Sequence, residues 1–445
     1  MNLSKICSSS LTALFFLSFT MFFISCGSDE SGVAPCIGTE WYRDADNDGL
    51  GDPRVFMLAC EQPDGYVANY DDTDDSGSNS STNLEAVFED RIRLDRLENY
   101  AGQAVPPYIN QDNTDDNPIT NAGATLGRVL FYDTNLSVDN SVSCASCHKQ
   151  SFAFGDDAQL SEGVNGATGR HSMRLVNARF AEEVRFFWDE RAATLEEQTT
   201  MPIQDHAEMG FSGQNGDPDI NDLIAKLEAL EYYQELFAFV YGDAAITEGR
   251  MQLALAQFIR SIQSFDSRYD AGFAQVNNPN ANFPNFSQAE NRGKALYMRA
   301  PQLDQNGQRI GGGAGCQGCH RAPAFDIAPN SRNNGVVATA GDATVLDLTV
   351  TRSPTLRDLV DPDGAMNGQL MHNGFFGTLE QVIDHYNAIN ATPGQNNNLD
   401  PRLRPRGTNG QQLQLSDQEK SDLVAFLKTL SGTDVYTNVK WSDPF

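Results

Sequence analysis

Cys144-Ala-Ser-Cys147-His148 and Cys316-Gln-Gly-Cys319-His320 are two copies of one pattern. In Cys-x-x-Cys-His the two thiols add across the vinyl groups of a porphyrin, and the adjoining histidine becomes an axial iron ligand. Two intervening residues let both sulfurs reach one macrocycle while the histidine faces the metal. A single copy leaves a zinc site or a thioredoxin-like pair open. Two copies together make coincidence negligible. They predict two covalently bound haem c groups, with His148 and His320 as proximal ligands.

The remaining cysteines point to export. Residues 1–25 carry Lys5 and then an apolar run over 11–24. Such a segment reads as an export signal, too short and too N-terminal for a stable span in the mature protein. It ends Phe23-Ile24-Ser25-Cys26-Gly27, which resembles a bacterial lipobox with Phe23 where leucine is usual. That resemblance implies an acylated Cys26 as the first mature residue. The product would be a membrane-anchored lipoprotein of the periplasm or the cell surface. Cys7 leaves with the signal, and Cys36 with Cys60 is the pair expected to form a disulfide after export. The formal net charge of −29 argues against nucleic acid and against attraction to anionic lipid.

The elements that must position the haem motifs follow an acidic module, 26–83. Asp44, Asp46 and Asp48 alternate ahead of Gly49, with Asp52 beyond. Carboxylates so spaced on a glycine-bearing turn wrap a hard cation such as Ca²⁺, a second candidate calcium site. Val55 stands at the twelfth loop position, so this is not an EF-hand. The ladder resembles thrombospondin type 3 repeats; the alternative is a solvated acidic linker. Residues 76–82 read as a Ser/Asn/Gly linker. Beyond it, apolar residues at three- and four-residue spacing predict helices at 84–100, 195–204, 219–239, 247–265, 287–300, 378–386 and 416–430. Ser416 and Glu419 form a capping-box pattern. Strand signals are few. The expected fold is all-α: two tandem c-type cytochrome domains at 84–276 and 287–432, an Asn/Pro-rich linker between them, and a tail at 433–445. The small module ahead of them is expected to be irregular and calcium-binding-like.

Between the haem motifs the pattern becomes specific. Leu126-Gly-Arg-Val-Leu-Phe-Tyr-Asp-Thr-Asn-Leu-Ser137, Phe187-Trp188-Asp189-Glu190-Arg191, Leu195-Glu-Glu-Gln198, Glu208-Met209-Gly210, Ser353-Pro354-Thr355-Leu356-Arg357 and Met371-His372-Asn373-Gly374 occur in that order. Over about residues 84–432 the chain resembles the bacterial di-haem cytochrome c peroxidase family, which includes the methylamine-utilisation di-haem oxygenase MauG. The resemblance implies a low-potential peroxidatic haem at His148 and a high-potential electron-entry haem at His320, with Met371 as its distal ligand. A thioether favours Fe(II) and raises the potential; the MauG branch carries tyrosine at that place, so Met371 favours a peroxidase. Glu208 matches the acid/base of peroxide cleavage, Gln198 the pocket amide, and Trp188 the aromatic between the haems. His171 follows the Gly-rich run 163–169 and is either a distal ligand of the first haem or a structural polar residue. The side chain of Asn177 and the carbonyls of Arg352 and Pro354 match a calcium site between the domains. His206 and His385 have no assigned role.

The expected activity is reduction of hydrogen peroxide to water with electrons from a small cytochrome c or blue-copper protein. The rivals are a MauG-like oxidase of a protein or organic substrate and a pure electron-transfer cytochrome. A homodimer is usual in the family.

Overall fold

A computed structural model describes residues 38–44, 50–70, 83–182, 185–327, 329–342, 344–389, 396–405 and 408–445. The chain divides into two units, 1–79 and 80–445. The export segment, Cys26, Cys36, Asp46 and Asp48 lie outside the described residues. Among the described residues no helix is long and apolar enough to cross a membrane.

The first unit corrects the expectation of an irregular module in an all-α chain. Strands β1 (Thr39–Arg43), β2 (Asp52–Ala59) and β3 (Tyr66–Val67) form an antiparallel sheet in the order β2-β1-β3. Trp41 pairs with Met57, and a bulge falls between Tyr42 and Arg43. The run Val55-Phe56-Met57-Leu58 is rich in strand formers, which outweighed the turn signals around it. Gly51 admits this packing, because a Cβ there would meet Tyr42 Cβ and the Asn69 carbonyl. Asp44 and Asp52 are both buried, and Asp44 N donates to Gly65 O at 2.9 Å. Cys60 is disulfide-bonded.

The second unit holds the helices: α1 (Asn83–Phe88), α2 (Asn121–Tyr132), α3 (Cys144–Cys147), α4 (Leu195–Thr200), α5 (Ile220–Glu228), α6 (Glu231–Tyr241), α7 (Glu248–Ser261), α8 (Arg268–Val276), α9 (Gln288–Met298), α10 (Leu379–Asn387) and α11 (Asp417–Leu427). Thr120, Thr247, Ser287 and Ser416 each start a helix by accepting the amide three residues on. Ser416 and Glu419 form the reciprocal box their spacing predicts. The helix expected over 84–100 shrinks to α1, because the backbone turns left-handed at Glu89 (φ 52°). The one expected over 219–239 breaks at Leu230, whose extended backbone caps α6. The break lets α6 aim the hydroxyls of Tyr232 and Tyr233 at Asp133, at 2.6 and 2.8 Å. Three two-stranded ladders supplement the helices: β4 (Glu162–Gly163) with β5 (Gly166–Ala167), β6 (Pro301–Leu303) with β7 (Arg309–Gly312), and β8 (His320–Arg321) with β9 (Asp326–Ile327).

Two hydrophobic cores define two lobes, and one device builds both. In the first lobe α2 crosses α7, and a Cβ at Gly127 would collide with the Ala254 carbonyl and Phe258. In the second α9 crosses α11, and a Cβ at Gly293 would collide with the Asp422 carbonyl and Phe426. One turn further along, Phe131 packs on Phe258 and Tyr297 on Phe426, each at 5.2 Å between ring centroids. The lobes are not contiguous in sequence. Tyr269 and Phe273 of α8 belong to the second core, as do Phe283 and Phe286 of the supposed linker. The last residues return to the first core, where Val435 and Trp441 are fully buried. Aromatic residues at both places found cores beyond their expected boundaries.

Candidate haem sites and the pockets beside them

Each motif is held for attachment. Ser143 and Ser146 box the start of α3, so Cys144 and Cys147 lie on one helical turn. Cys144, Cys147, Cys316 and Cys319 are free thiols. Burial pushes Cys144 and Cys316 up to about 12 and Cys147 and Cys319 up to about 11, so all four stay protonated until they react. The proximal histidines are oriented alike. His148 Nδ1 donates to Phe154 O at 3.2 Å, and His320 Nδ1 donates to Pro354 O at 2.9 Å. A carbonyl on Nδ1 fixes the tautomer that leaves Nε2 a free donor to a metal. Burial lowers both imidazole pKa values, that of His320 to about 4, which keeps the rings neutral. Phe154 and Phe325 are buried and left-handed (φ 59° and 58°), and their carbonyls accept Leu175 N and Leu356 N. The thiol pairs and the preset imidazoles fit two haem c groups.

The second motif opens on a cavity of about 410 Å³ lined by His320, Cys316, Cys319, Met371 and Trp188. Met371 is thus placed with His320 at one site. Its backbone is left-handed (φ 69°), and its Sδ accepts a hydrogen bond from Asn334 Nδ2 at 3.4 Å. A thioether keeps a second lone pair for a metal. Asn334 O in turn accepts His385 Nε2 at 2.9 Å. His385 is therefore a packing residue beside the site rather than a surface one. Asn334 was not visible from sequence, since it lies far from Met371 along the chain and carries no motif.

Beside the first motif stands Glu208. Its carboxylate acts electrostatically on both Cys144 and Cys147. Burial and then Asp205 raise its pKa to about 7, against the opposing pull of Arg191. The turn that carries it is tightly made. Asp205 Oδ1 accepts Ala207 N at 2.8 Å and Glu208 N at 3.2 Å, and Val164 N donates to Glu208 O at 3.0 Å. Gly163 of β4 lets the hairpin lie flat on that turn, since a Cβ would meet the Ala207 carbonyl. Gln198 sits half-buried on α4. Among the described residues its carboxamide takes no hydrogen-bond partner.

Trp188 joins the lobes. Its Nε1 donates to His171 O at 2.8 Å, while its carbonyl accepts Thr351 N and Arg352 N at 2.9 and 3.0 Å. His171 shares the arrangement of the proximal histidines, with Nε2 left without a hydrogen-bond partner among the described residues, and it acts electrostatically on His148. Its Nδ1 donates to Ala158 O and Gln159 O at 3.0 and 3.1 Å, its amide donates to His372 O, and it lines the second cavity. The Gly-rich run packs on the Glu208 turn as β4 and β5, so the histidine beyond it is carried to the junction. Asn177 bridges the backbone of Ser264, donating to its carbonyl at 3.1 Å and accepting its amide at 2.9 Å. Pro354 O serves His320, and Arg352 stacks on Phe186. The Asn177 amide oxygen and the Pro354 carbonyl already accept protein hydrogen bonds, and each keeps a second lone pair. Among the described residues no group of three or more His, Cys, Asp or Glu is arranged to hold a metal. His206 is a surface residue paired with Asp217 at 2.6 Å.

Two helical lobes, each with a primed Cys-x-x-Cys-His, describe a tandem di-haem cytochrome. The family model for di-haem cytochrome c peroxidase matches residues 121–278. The chain is 32 % identical over 329 residues to the methylamine utilization protein MauG of Methylophilus methylotrophus, covering 71 % of this chain and 84 % of that one. It is 27 % identical over 323 residues to the cytochrome c551 peroxidase of Nitrosomonas europaea, covering 69 % and 80 %. The crystal structure of a MauG-like protein associated with microbial copper homeostasis superposes with a TM-score of 0.60 at 28 % identity, covering 76 % and 98 %. The chain belongs to the di-haem cytochrome c peroxidase and MauG family of oxidoreductases.

Proposed function

We propose that this protein reduces hydrogen peroxide to water with two electrons from a small cytochrome c or blue-copper donor. Glu208 carries the reading. It is a half-buried carboxyl with a pKa raised to about 7, facing the thiols of the first motif. When bound, the haems supply the redox-active iron that stores electrons and breaks the O–O bond. Glu208 is partly protonated near neutrality, so it can take the proton from the inner peroxide oxygen and deliver it to the outer one. Gln198, with its free carboxamide, can hold the peroxide for that transfer. Trp188 supplies an aromatic ring between the lobes. Met371 and His320 set the electron-entry lobe at high potential.

The MauG-like reading draws support from relatives of that name at comparable identity. Met371, where that branch carries tyrosine, favours the peroxidase. Calcium at Asn177, Arg352 and Pro354 and a lipid anchor at Cys26 belong to the same proposal. A chelator should then slow turnover, and an acyl chain should appear in the mass of the exported protein. The deciding experiment mixes fully reduced protein with peroxide in stopped flow. Each peroxide should consume two electrons, with sustained turnover once reduced cytochrome c is added. Reoxidation no faster than in a peroxide-free control would overturn the reading in favour of pure electron transfer.

A further inference from the structure

Four arginines line the second cavity: Arg174, Arg332, Arg352 and Arg402. Arg402 is bound to Asp400 at 2.6 Å, Arg352 faces Asp326 at 4.0 Å, and Arg332 is exposed. Arg174 differs from all three. No carboxylate lies within ion-pair distance of it among the described residues. Its Nε is buried without a hydrogen-bond partner, and Nη1 makes one bond, to Asn367 O at 3.2 Å. Burial lowers its pKa, a cost that a nearby anion would remove.

An anion inside the protein is close by but is not used. Asp358 is fully buried, and its Oδ2 also lacks a partner. It acts on Arg174 through space yet forms no ion pair with it. Two buried groups of opposite charge, each incompletely satisfied and held apart, indicate that the guanidinium is kept for a third group. The cavity beside it is walled by Leu359, Leu370 and Leu427 and is reached by both thiols of the second motif. A porphyrin attached to those thiols carries its two carboxylates on the edge remote from its vinyl groups. They are the anions this apolar cavity would bring to a guanidinium.

The lobes' shared geometry sharpens the point. Leu175 N binds Phe154 O, as Leu356 N binds Phe325 O. Arg174 therefore occupies in the first lobe the place of Thr355 in the second. The first lobe extends a cation where its counterpart has a hydroxyl, and that cation lines the other lobe's cavity.

We infer that Arg174 is the propionate-binding residue of the second haem, a charge lent across the junction that raises that haem's potential. The inference rests on the second cavity holding haem c and not on peroxide being the substrate. A cation beside a propionate favours the reduced iron, because oxidation adds positive charge nearby.

The test is a spectroelectrochemical titration of the holoprotein at fixed pH and ionic strength, comparing R174Q and R174K with the parent. R174Q should lower the midpoint of the second haem while leaving the near-infrared sulfur-to-iron band in place. R174K should restore most of the difference, which a merely structural role would not produce. An R174Q midpoint equal to the parent's would overturn the inference. If R174Q loads only one haem, R174K decides. Two haems and a parent-like midpoint would support the charge, whereas a folded R174K that also loads one haem would overturn it. Loss of peroxide turnover without a change in midpoint would likewise overturn the inference while leaving the peroxidase reading in place.

Discussion

The two lobes share a frame and differ in the side chains placed beside each haem motif. Gly127 against Ala254 repeats as Gly293 against Asp422, and Phe154 repeats as Phe325. His148 and His320 both spend Nδ1 on a carbonyl. Beside the two motifs the repetition stops. The second lobe offers Met371, a thioether pinned by Asn334. The first offers Glu208, a carboxyl with its pKa raised by burial. One site carries a soft thioether, the other a carboxyl whose pKa is raised to about 7. The duplicated scaffold repeats the haem motif, and under the proposed function the few residues that differ divide storage of an electron from its use.

The largest effect expected from breaking this division is at Glu208. Glu208→Gln keeps shape but cannot carry the proton, so peroxide kcat should fall by about 10²–10⁴, roughly 3–5 kcal/mol of transition-state stabilisation. The sulfur-to-iron band of the other lobe should be unchanged. Near-parent turnover would remove the proton carrier from the comparison. The same substitution has a stability signature. The folded pKa of Glu208 lies above its ordinary value of 4.5, at about 7. Between those values the unfolded chain binds fewer protons, so the parent loses stability as pH rises through that window. Urea midpoints of Glu208→Gln should lack this decline.

Next is the shared frame. Gly127→Ala and Gly293→Ala each place a Cβ inside a carbonyl of the crossing helix. Each should cost about 1–3 kcal/mol, read as a lower unfolding midpoint. If one is silent, the crossings are not equivalent. The smallest effect is at Asn334. Asn334→Leu removes the donor to Met371 Sδ, worth about 0.5–1.5 kcal/mol. The second haem's midpoint should drop slightly while its sulfur-to-iron band persists. A vanished band would mean that Asn334 positions the ligand rather than tuning it.

The haem motifs were legible because covalent attachment demands fixed residue types at fixed spacing. Glu208, Trp188 and Met371 were legible only as members of a longer pattern, and the structure brings each beside a haem motif. His171 was ambiguous because a Gly-rich run does not say what it packs on; in the structure that run packs on the Glu208 turn. Asn334 and Arg174 left no sequence signal, since each acts on a residue or cavity distant along the chain. Helix starts were readable from Thr and Ser caps, but the ends at Glu89 and Leu230 answer to tertiary demands. The β2 run was overlooked because its four successive apolar residues show no inside–outside alternation, and in the structure all of Val55, Phe56, Met57 and Leu58 are exposed.

The returning C-terminal segment has a consequence for manufacture. Trp441 is fully buried in the first core, with Nε1 donating to Ser261 Oγ at 3.2 Å. Tyr132 Oη holds Trp441 O at 2.7 Å, Arg128 Nε holds Ser442 O at 2.6 Å, and Arg91 reaches Phe445 O. The residues of the second lobe thus lie in sequence between the first lobe and the segment that completes its core. Until residues 433–445 have docked, the first haem motif belongs to an unfinished core. A chain that stops short of Trp441 would carry an exposed aromatic hollow, the kind of surface that housekeeping proteases remove.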